Sequence, residues 1–167
     1  MEKLHEGQKA AIYKELALKD ILTGLYSRNA YDEWERDNQH PDKTAIVMLD
    51  LNNLKKCNDR YGHEAGDTYL KKASEMITNA FSQENTVYRI GGDEFVVIEQ
   101  DVLESEFYSK YEMLLKRMKE LEISVATGYI WKERCLNLSE ILQEADQKMY
   151  EDKKRYYSIA QNDRRRR

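Results

Sequence analysis

Two adjacent glycines, Gly91 and Gly92, lie between two short runs of residues that favour β-strands. The run before them is TVYRI at 86–90, and the run after them is DEFVVIE at 93–99. A Gly-Gly pair between two strand-like runs is among the strongest local signals for a hairpin, because glycine readily adopts the backbone angles of tight turns. The sequence therefore predicts a β-hairpin over residues 86–99.

Strands and helices alternate on both sides of this hairpin. Residues 44–50 (TAIVMLD) form a continuous apolar run, which predicts a buried central strand that ends in an acid. Residues 123–130 (ISVATGYI) predict another strand. Apolar residues at three- and four-residue steps predict core helices at 67–81, 107–121 and 138–150.

The resulting order of core elements is β-α-β-β-α-β, which is the ferredoxin-like arrangement of an α+β domain with an antiparallel sheet. Two helices, at 1–19 and 28–38, precede this core, and Asn137 is a suitable N-cap for the last helix. We expect one domain with extra flanking helices, because a chain of 167 residues is of single-domain size.

Three carboxylates from two distant parts of the sequence are expected at one edge of this sheet. Asp50 ends the first strand, whereas Asp93 and Glu94 leave the hairpin turn, and antiparallel pairing brings these positions together. Like charges at short distance require a compensating cation, and Mg²⁺ is suited to carboxylates combined with substrate phosphates. The simpler interpretation, in which Asp93 and Glu94 only solvate a hairpin tip, is weakened by the convergence with Asp50.

The polar segment between the first strand and the next helix carries groups suited to a nucleotide. Lysine neutralises phosphate oxygens, Asn and Asp together match the edge of a guanine base, and glycines allow close approach of the backbone. A polar loop with helix-capping residues is the competing interpretation. The residues concerned are Lys55, Asn58, Asp59, Gly62, His63, Gly66 and Asp67.

Composition restricts the partners and the compartment. The net charge is −4 and the pI is near 5.5, so a basic surface for nucleic acid is not expected beyond the short run at 164–167. The sequence has no apolar run of membrane-spanning length and no apolar block at its N-terminus, which predicts a cytoplasmic protein without membrane insertion. Cys57 and Cys135 are not in a metal or disulfide pattern, and we expect both to be reduced packing residues.

The spaced motifs resemble those of the GGDEF-domain diguanylate cyclases over residues 20–154. Several separate motifs occur in the family's order, which is far more specific than one short match. They are DILTGL at 20–25, DLNNLKKCND at 50–59, YGH at 61–63 with GD at 66–67, RIGGDEF at 89–95, AD at 145–146 and YEDK at 150–153. The resemblance implies a palm-like or cyclase-like fold.

The resemblance also implies a reaction in which two GTP molecules become cyclic di-GMP and two pyrophosphates. The active site would form between two domains of a homodimer, in which the 3′-hydroxyl of one nucleotide attacks the α-phosphate of the other. Mg²⁺ is the implied cofactor, and Mn²⁺ is a possible substitute. An upstream sensor domain or a partner protein would act through the N-terminal helix.

The family's residue roles carry over to matching positions of this sequence. Asp50, the Leu51 carbonyl, Asp93 and Glu94 resemble the metal ligands, and Asp93 is also the candidate base for the 3′-hydroxyl. Lys55 resembles the residue that stabilises the transition state. The remaining matches are substrate contacts, namely Asn58 and Asp67 at the guanine, His63 nearby, Gly91 and Gly92 at the phosphate approach, and Lys153 at the phosphates.

Some positions depart from the family pattern. Asn52 and Leu54 stand where the family usually has Asp and Phe, and residues 154–157 (KRYY) replace a frequent Gly-Arg-Asn. The Arg-x-x-Asp feedback site of many relatives is also missing, because the matching positions 82–85 read SQEN. We therefore expect no product inhibition of that form.

The sequence thus predicts three regions: a signalling or linker helix at 1–19, a GGDEF domain at 20–157, and a disordered basic tail at 158–167. Diguanylate cyclase activity is the leading functional hypothesis. The main competing hypothesis is a catalytically degenerate, GTP-binding regulatory GGDEF domain. Two weaker hypotheses are an enzyme that makes a mixed GMP–AMP product and a helix-mediated interaction module with a vestigial nucleotide site.

Overall fold

The predicted βαββαβ core is confirmed by the computed structural model, which describes residues 6–81 and 87–165. A four-stranded sheet has the order β2-β3-β1-β4, and every neighbouring pair is antiparallel. The strands are β1 (Asp42–Leu51), β2 (Val87–Arg89), β3 (Glu94–Glu99) and β4 (Val125–Arg134). The helices are α1 (Glu6–Ala17), α2 (Arg28–Asp37), α3 (Leu54–Tyr61), α4 (His63–Phe81), α5 (Glu104–Glu120) and α6 (Leu138–Arg165).

The central strand β1 is covered on both faces of the sheet. Its residues alternate between two apolar layers, with Val47 and Leu49 in one and Ile46 and Met48 in the other. Helices α4 and α5 cover the first layer, whereas α2 and α6 cover the second. Because no face of β1 meets water, the strand reads as a continuous apolar run, as the sequence predicts.

The polar segment after β1 is helical, which corrects the prediction that helix formation begins only at Asp67. It holds the short helix α3 and the first turn of α4, which starts at His63. None of the described α3 residues is fully buried, and the helix is so short that Leu54, Cys57 and Tyr61 are its only apolar positions, which is too little pattern for a prediction. Gly62, with φ of 88°, allows the chain to turn between the two helices.

The last helix is much longer than predicted. It runs for 28 residues to Arg165, so residues 158–165 are helical rather than a disordered tail. The sequence contains neither glycine nor proline between 138 and 165, and nothing in it ends the helix earlier. The predicted N-cap is confirmed, because the main-chain N–H of Ser139 donates to the Asn137 side chain over 3.1 Å.

The predicted N-terminal helix is present as α1 within the described residues. None of its residues is buried, and Ile12, Tyr13 and Leu16 are exposed. Across the described ranges, no helix combines the length and the apolar character needed to cross a membrane.

The turn at residues 20–25 joins the N-terminal part of the chain to the hairpin. The Asp20 carboxylate accepts hydrogen bonds from the main chain and hydroxyl of Thr23, and both of its oxygens accept from the Arg89 guanidinium at 3.0–3.1 Å. The same guanidinium donates to the carbonyl of Gly92 over 2.8 Å. Arg89 therefore serves as a structural counter-ion that fixes the hairpin turn against this loop.

Helix α6 packs unusually closely on β4 at Gly128. A Cβ atom at this position would lie 1.9 Å from the Ala145 carbonyl oxygen and 2.6 Å from the Met149 main-chain nitrogen. Both neighbours are helix backbone, which cannot yield as a flexible side chain would. The absence of a side chain at Gly128 is thus a condition for this helix to sit on the sheet.

Gly128→Ala is expected to lower the free energy of unfolding by about 2 kcal/mol or more, because α6 must shift to relieve the overlap. Urea denaturation followed by circular dichroism measures the change. Gly7→Ala is the matched control, since a Cβ there meets nothing within 4 Å and alanine favours the helix. Equal stability of the Gly128→Ala variant and the wild type would contradict the close packing.

Asp20→Asn is expected to destabilise the protein mainly above pH 4. Burial acts to raise the pKa of Asp20, but the hydrogen bonds from Thr23 and the charge of Arg89 outweigh it and lower this pKa below 3.8. The stability that the ionised carboxylate contributes is therefore present above the unfolded-state pKa and is lost as pH falls through the lowered folded-state pKa.

Urea denaturation of wild type and Asp20→Asn at several pH values between 2 and 7 tests this expectation. The stability difference should shrink as the pH falls. Asp32→Asn is the control, because Asp32 forms only an exposed surface pair with Arg28 and such pairs contribute little. A stability difference that is constant over this pH range would show that Asp20 does not act through its charge.

Candidate active site

The ends of β1 and β3 lie side by side, as the antiparallel topology predicts. Asp50 is directly opposite Glu94 in the register, and the main-chain N–H of Leu51 donates to the carbonyl of Asp93 over 2.9 Å. These two strands therefore bring the predicted metal ligands from both parts of the sequence to one edge of the sheet.

Asp50 is a buried acid paired with a lysine from α6. Its side chain is 6% exposed, and its Oδ2 accepts a hydrogen bond from Lys153 Nζ over 2.6 Å. Burial raises the pKa of Asp50, the Lys153 hydrogen bond acts to lower it, and the charge of Asp93 adds to the rise. Lys153 neutralises this carboxylate in the structure, and its predicted contact with a phosphate stays a prediction.

The two acids of the hairpin turn face different spaces. Glu94 borders a cleft between α2 and α6, and its Oε2 lies only 2.4 Å from where a Cβ on Gly91 would be. Asp93 borders a separate cleft between α3 and α6. Among residues 6–81 and 87–165, no three carboxylate, histidine or cysteine side chains lie close enough together to hold a metal ion.

A divalent cation with few protein ligands nevertheless fits this edge. Asp50 Oδ1 is buried without a hydrogen-bond partner, so one acceptor oxygen remains unused. Burial raises the pKa of Glu94, the charges of Asp50 and Asp93 raise it further, and Lys153 acts to lower it. Mg²⁺ usually takes one or two carboxylates and completes its shell with water and substrate phosphates.

The cleft between α3 and α6 has a volume of about 560 Å³ and contains both predicted catalytic residues, Asp93 and Lys55. Three cationic side chains and two acidic ones contribute to its walls. Its lining consists of Leu51, Asn53, Leu54, Lys55, Lys56, Asp59, Arg60, Asp93, Tyr157, Ala160 and Gln161. This mixture of charges suits a polyanionic ligand accompanied by a cation.

The predicted guanine contacts lie outside the lining of this cleft, where α3 meets α4. A Cβ on Gly66 would lie 1.8 Å from Asn58 Oδ1, so the Asn58 amide occupies the space that this glycine leaves. Asn58 Oδ1 is buried and has no hydrogen-bond partner. His63 and Asp67 are exposed on the first two turns of α4.

Sequence reasoning missed the contribution of the far end of α6. The Asn53 side-chain amide donates to the Tyr156 hydroxyl over 2.5 Å, and the Asn53 main-chain N–H lies 3.5 Å from the Tyr157 hydroxyl. The absence of glycine and proline after residue 150 is the sequence feature that could have predicted this extension of the helix. Lys56 and Arg60 were also missed, although they lie one helical turn apart on the exposed α3.

Comparisons with known proteins give a consistent result. The profile described as "Diguanylate cyclase, GGDEF domain" matches residues 17–157. The diguanylate cyclase DgcS of Shewanella oneidensis is 38% identical over 96 residues, which are 53% of this chain and 32% of DgcS. The cyclic di-GMP phosphodiesterase PdeR of Escherichia coli K12 is 33% identical over 147 residues, which are 81% of this chain and 22% of PdeR.

The fold also matches a solved structure. The coiled coil and GGDEF domain of DgcB from Caulobacter crescentus, solved in complex with c-di-GMP, superposes with a TM-score of 0.73 at 20% identity. The match covers 89% of this chain and 86% of that one. The chain spans about a third or less of the length of DgcS and PdeR. With its ordered motifs, its sheet topology and a matching profile over residues 17–157, the chain belongs to the GGDEF domain family.

Proposed function

We propose that this GGDEF domain is a diguanylate cyclase, which condenses two GTP molecules into cyclic di-GMP with release of two pyrophosphates. The observation that carries the proposal is the placement of Asp93 and Lys55 in one cleft beside the buried Asp50. The relatives support a role connected with cyclic di-GMP, and DgcS is itself named a diguanylate cyclase.

The proposed chemistry is phosphoryl transfer between two nucleotides on two facing domains. The 3′-oxygen of one GTP forms a bond to the α-phosphorus of the other, the bond from that phosphorus to the β-phosphate oxygen breaks, and pyrophosphate leaves. Asp93 accepts the proton of the attacking hydroxyl, and Lys55 neutralises negative charge that develops on the phosphoryl oxygens. A second transfer in the opposite direction closes the ring.

Mg²⁺, or Mn²⁺ in its place, is the proposed cofactor, and it would neutralise phosphate charge and orient the triphosphate. Asp50, Glu94, Asp93 and the Leu51 carbonyl are the proposed ligands, and because Asp93 and Glu94 border different clefts, one ion would take only part of this set. Lys153 has a long, flexible side chain, and a cation held at Asp50 would leave this lysine free to contact a phosphate.

Guanine recognition is assigned to the α3–α4 side of the site. The exposed Asp67 carboxylate supplies two acceptor oxygens for the N1–H and amino group of guanine, and the Asn58 side-chain amide is the second proposed contact to the base. His63 lies nearby on the first turn of α4, and Gly91 and Gly92 keep the hairpin turn free of bulky side chains. Asp67 favours guanine over adenine, so a mixed GMP–AMP product is the weaker hypothesis.

The second candidate function is a GTP-binding regulatory domain without turnover. Two structural observations favour it. Lys153 already forms an ion pair with the Asp50 carboxylate. Asn52, which replaces the family's usual Asp, is 1% exposed, and its Oδ1 is buried without a hydrogen-bond partner. In addition, PdeR, which is named a phosphodiesterase rather than a cyclase, matches 81% of the chain.

The predicted lack of product inhibition depends on positions 82–85. These residues lie outside those that the structure describes, so the expectation stays a prediction from the sequence.

Purified protein with Mg²⁺ and GTP is expected to form cyclic di-GMP and pyrophosphate, measured by chromatography and a pyrophosphate assay. Asp93→Asn should lower the rate at least about 100-fold, because it removes the proposed base. Asp32→Asn, a surface change away from the cleft, should leave the rate unchanged. Wild-type protein that binds GTP but forms no product would favour the regulatory function, and incorporation of ATP would favour a mixed product.

Specific activity is expected to fall as the protein is diluted, because each active site needs two facing domains and dilution separates them. Initial rates at saturating GTP over a 100-fold range of protein concentration measure this effect, with sedimentation velocity as a parallel measure of dimer content. A constant specific activity at concentrations where the protein is monomeric would contradict the homodimeric site.

A further inference from the structure

The C-terminal half of α6 is attached to the end of β1 and to the turn that follows it by side chains on two successive helical turns. Lys153 pairs with Asp50 over 2.6 Å. One turn later, the hydroxyls of Tyr156 and Tyr157 lie 2.5 Å and 3.5 Å from the side-chain and main-chain nitrogens of Asn53. The helix beyond residue 153 is therefore fixed next to the loop that follows the Asp50 strand.

This attachment turns one face of α6 toward the cleft. Tyr157 and Gln161 are four residues apart, so they lie above one another on the same helix face, with the small Ala160 between them. All three residues line the cleft. Tyr157 is 39% exposed and Gln161 is also exposed, so both have polar groups available to a ligand in the cleft.

The opposite wall of the cleft is rich in cations. Lys55, Lys56 and Arg60 of α3 face it, and the acids Asp59 and Asp93 compensate only part of this charge. Lys56 and Arg60 are four residues apart and present a pair of cationic groups beside Lys55. A guanidinium and an ammonium side by side suit the oxygens of a polyphosphate.

We propose that the last turns of α6 are part of the substrate site, and that Tyr157 and Gln161 donate hydrogen bonds to the β- and γ-phosphates of GTP held against Lys56 and Arg60. This inference rests on the proposed function, since it assumes that GTP is the ligand. It adds contacts to the triphosphate from a helix segment that replaces the Gly-Arg-Asn pattern frequent in relatives.

Calorimetric titration of the full chain with GTP and, separately, with GMP in the presence of Mg²⁺ tests this proposal. Tyr157→Phe and Gln161→Ala are each expected to weaken GTP binding about tenfold or more, because each loses a hydrogen bond to a charged acceptor. GMP affinity should not change, since GMP lacks the β- and γ-phosphates. Arg60→Ala should likewise weaken GTP selectively.

Ile159→Ala is the matched control, because Ile159 is on the same helix turn, is 58% exposed and does not line the cleft. Tyr157→Phe keeps the ring and its packing, and thermal denaturation verifies that each variant remains folded. The control variant should bind GTP as the wild type does.

Three results would overturn the inference while leaving the proposed function intact. The first is wild-type GTP affinity in both Tyr157→Phe and Gln161→Ala. The second is an equal loss for GTP and GMP, which would place the contact elsewhere on the nucleotide. The third is tighter GTP binding by the variants, which would mean that α6 obstructs the cleft. If the wild-type protein does not bind GTP, the proposed function and the inference both fail.

Discussion

The burial of a negative charge at the end of the central strand is the constraint on which the rest of the structure depends. β1 is apolar on both faces, and its last polar residue, Asp50, is buried together with the strand. A buried carboxylate is costly unless an opposite charge and hydrogen bonds accompany it. The protein meets this requirement with Lys153, so the folding of α6 onto the sheet is tied to the chemistry of the site.

Two other contacts position the structural elements around Asp50. The Asp20–Arg89 pair joins the loop before α2 to the hairpin, and the same arginine binds the Gly92 carbonyl. On the opposite edge of the sheet, Thr127 N–H donates to the Asp152 carboxylate over 3.0 Å, which fixes α6 to β4 one residue before Lys153. The acids of the hairpin and the lysine of α6 are thus positioned by separate structural elements that meet at Asp50.

Sequence reasoning was most successful where burial imposes a pattern. The apolar run at 44–50, the Gly91-Gly92 turn and the periodic helices predict the sheet topology, and the topology predicts that Asp50 and Glu94 meet. It failed for α3, because a helix of eight residues has too few apolar positions to establish a period. It also could not foresee that Asp93 and Glu94 face different clefts, since side-chain direction at a turn depends on backbone angles that residue types do not specify.

The end of α6 shows a different limit of the sequence. Composition alone suggests a solvated tail after 157, because a run of arginines is commonly unstructured. The helix nevertheless continues to Arg165, and along it Tyr156 and Tyr157 contact Asn53; such tertiary contacts are invisible in a linear pattern. The same contacts hold Tyr157, Ala160 and Gln161 at the wall of the cleft between α3 and α6.

The contact at Gly128 sets the distance between the backbone of α6 and the surface of β4. Gln161 lies 16 residues beyond Ala145, and at a rise of about 1.5 Å per residue this places it about 24 Å from that contact. A tilt of about 5° at Gly128 would therefore move the far end by about 2 Å, and the contacts of Asp152, Lys153 and the two tyrosines are what resist such a tilt. The width of the cleft between α3 and α6 thus depends on a backbone contact that lies far from it.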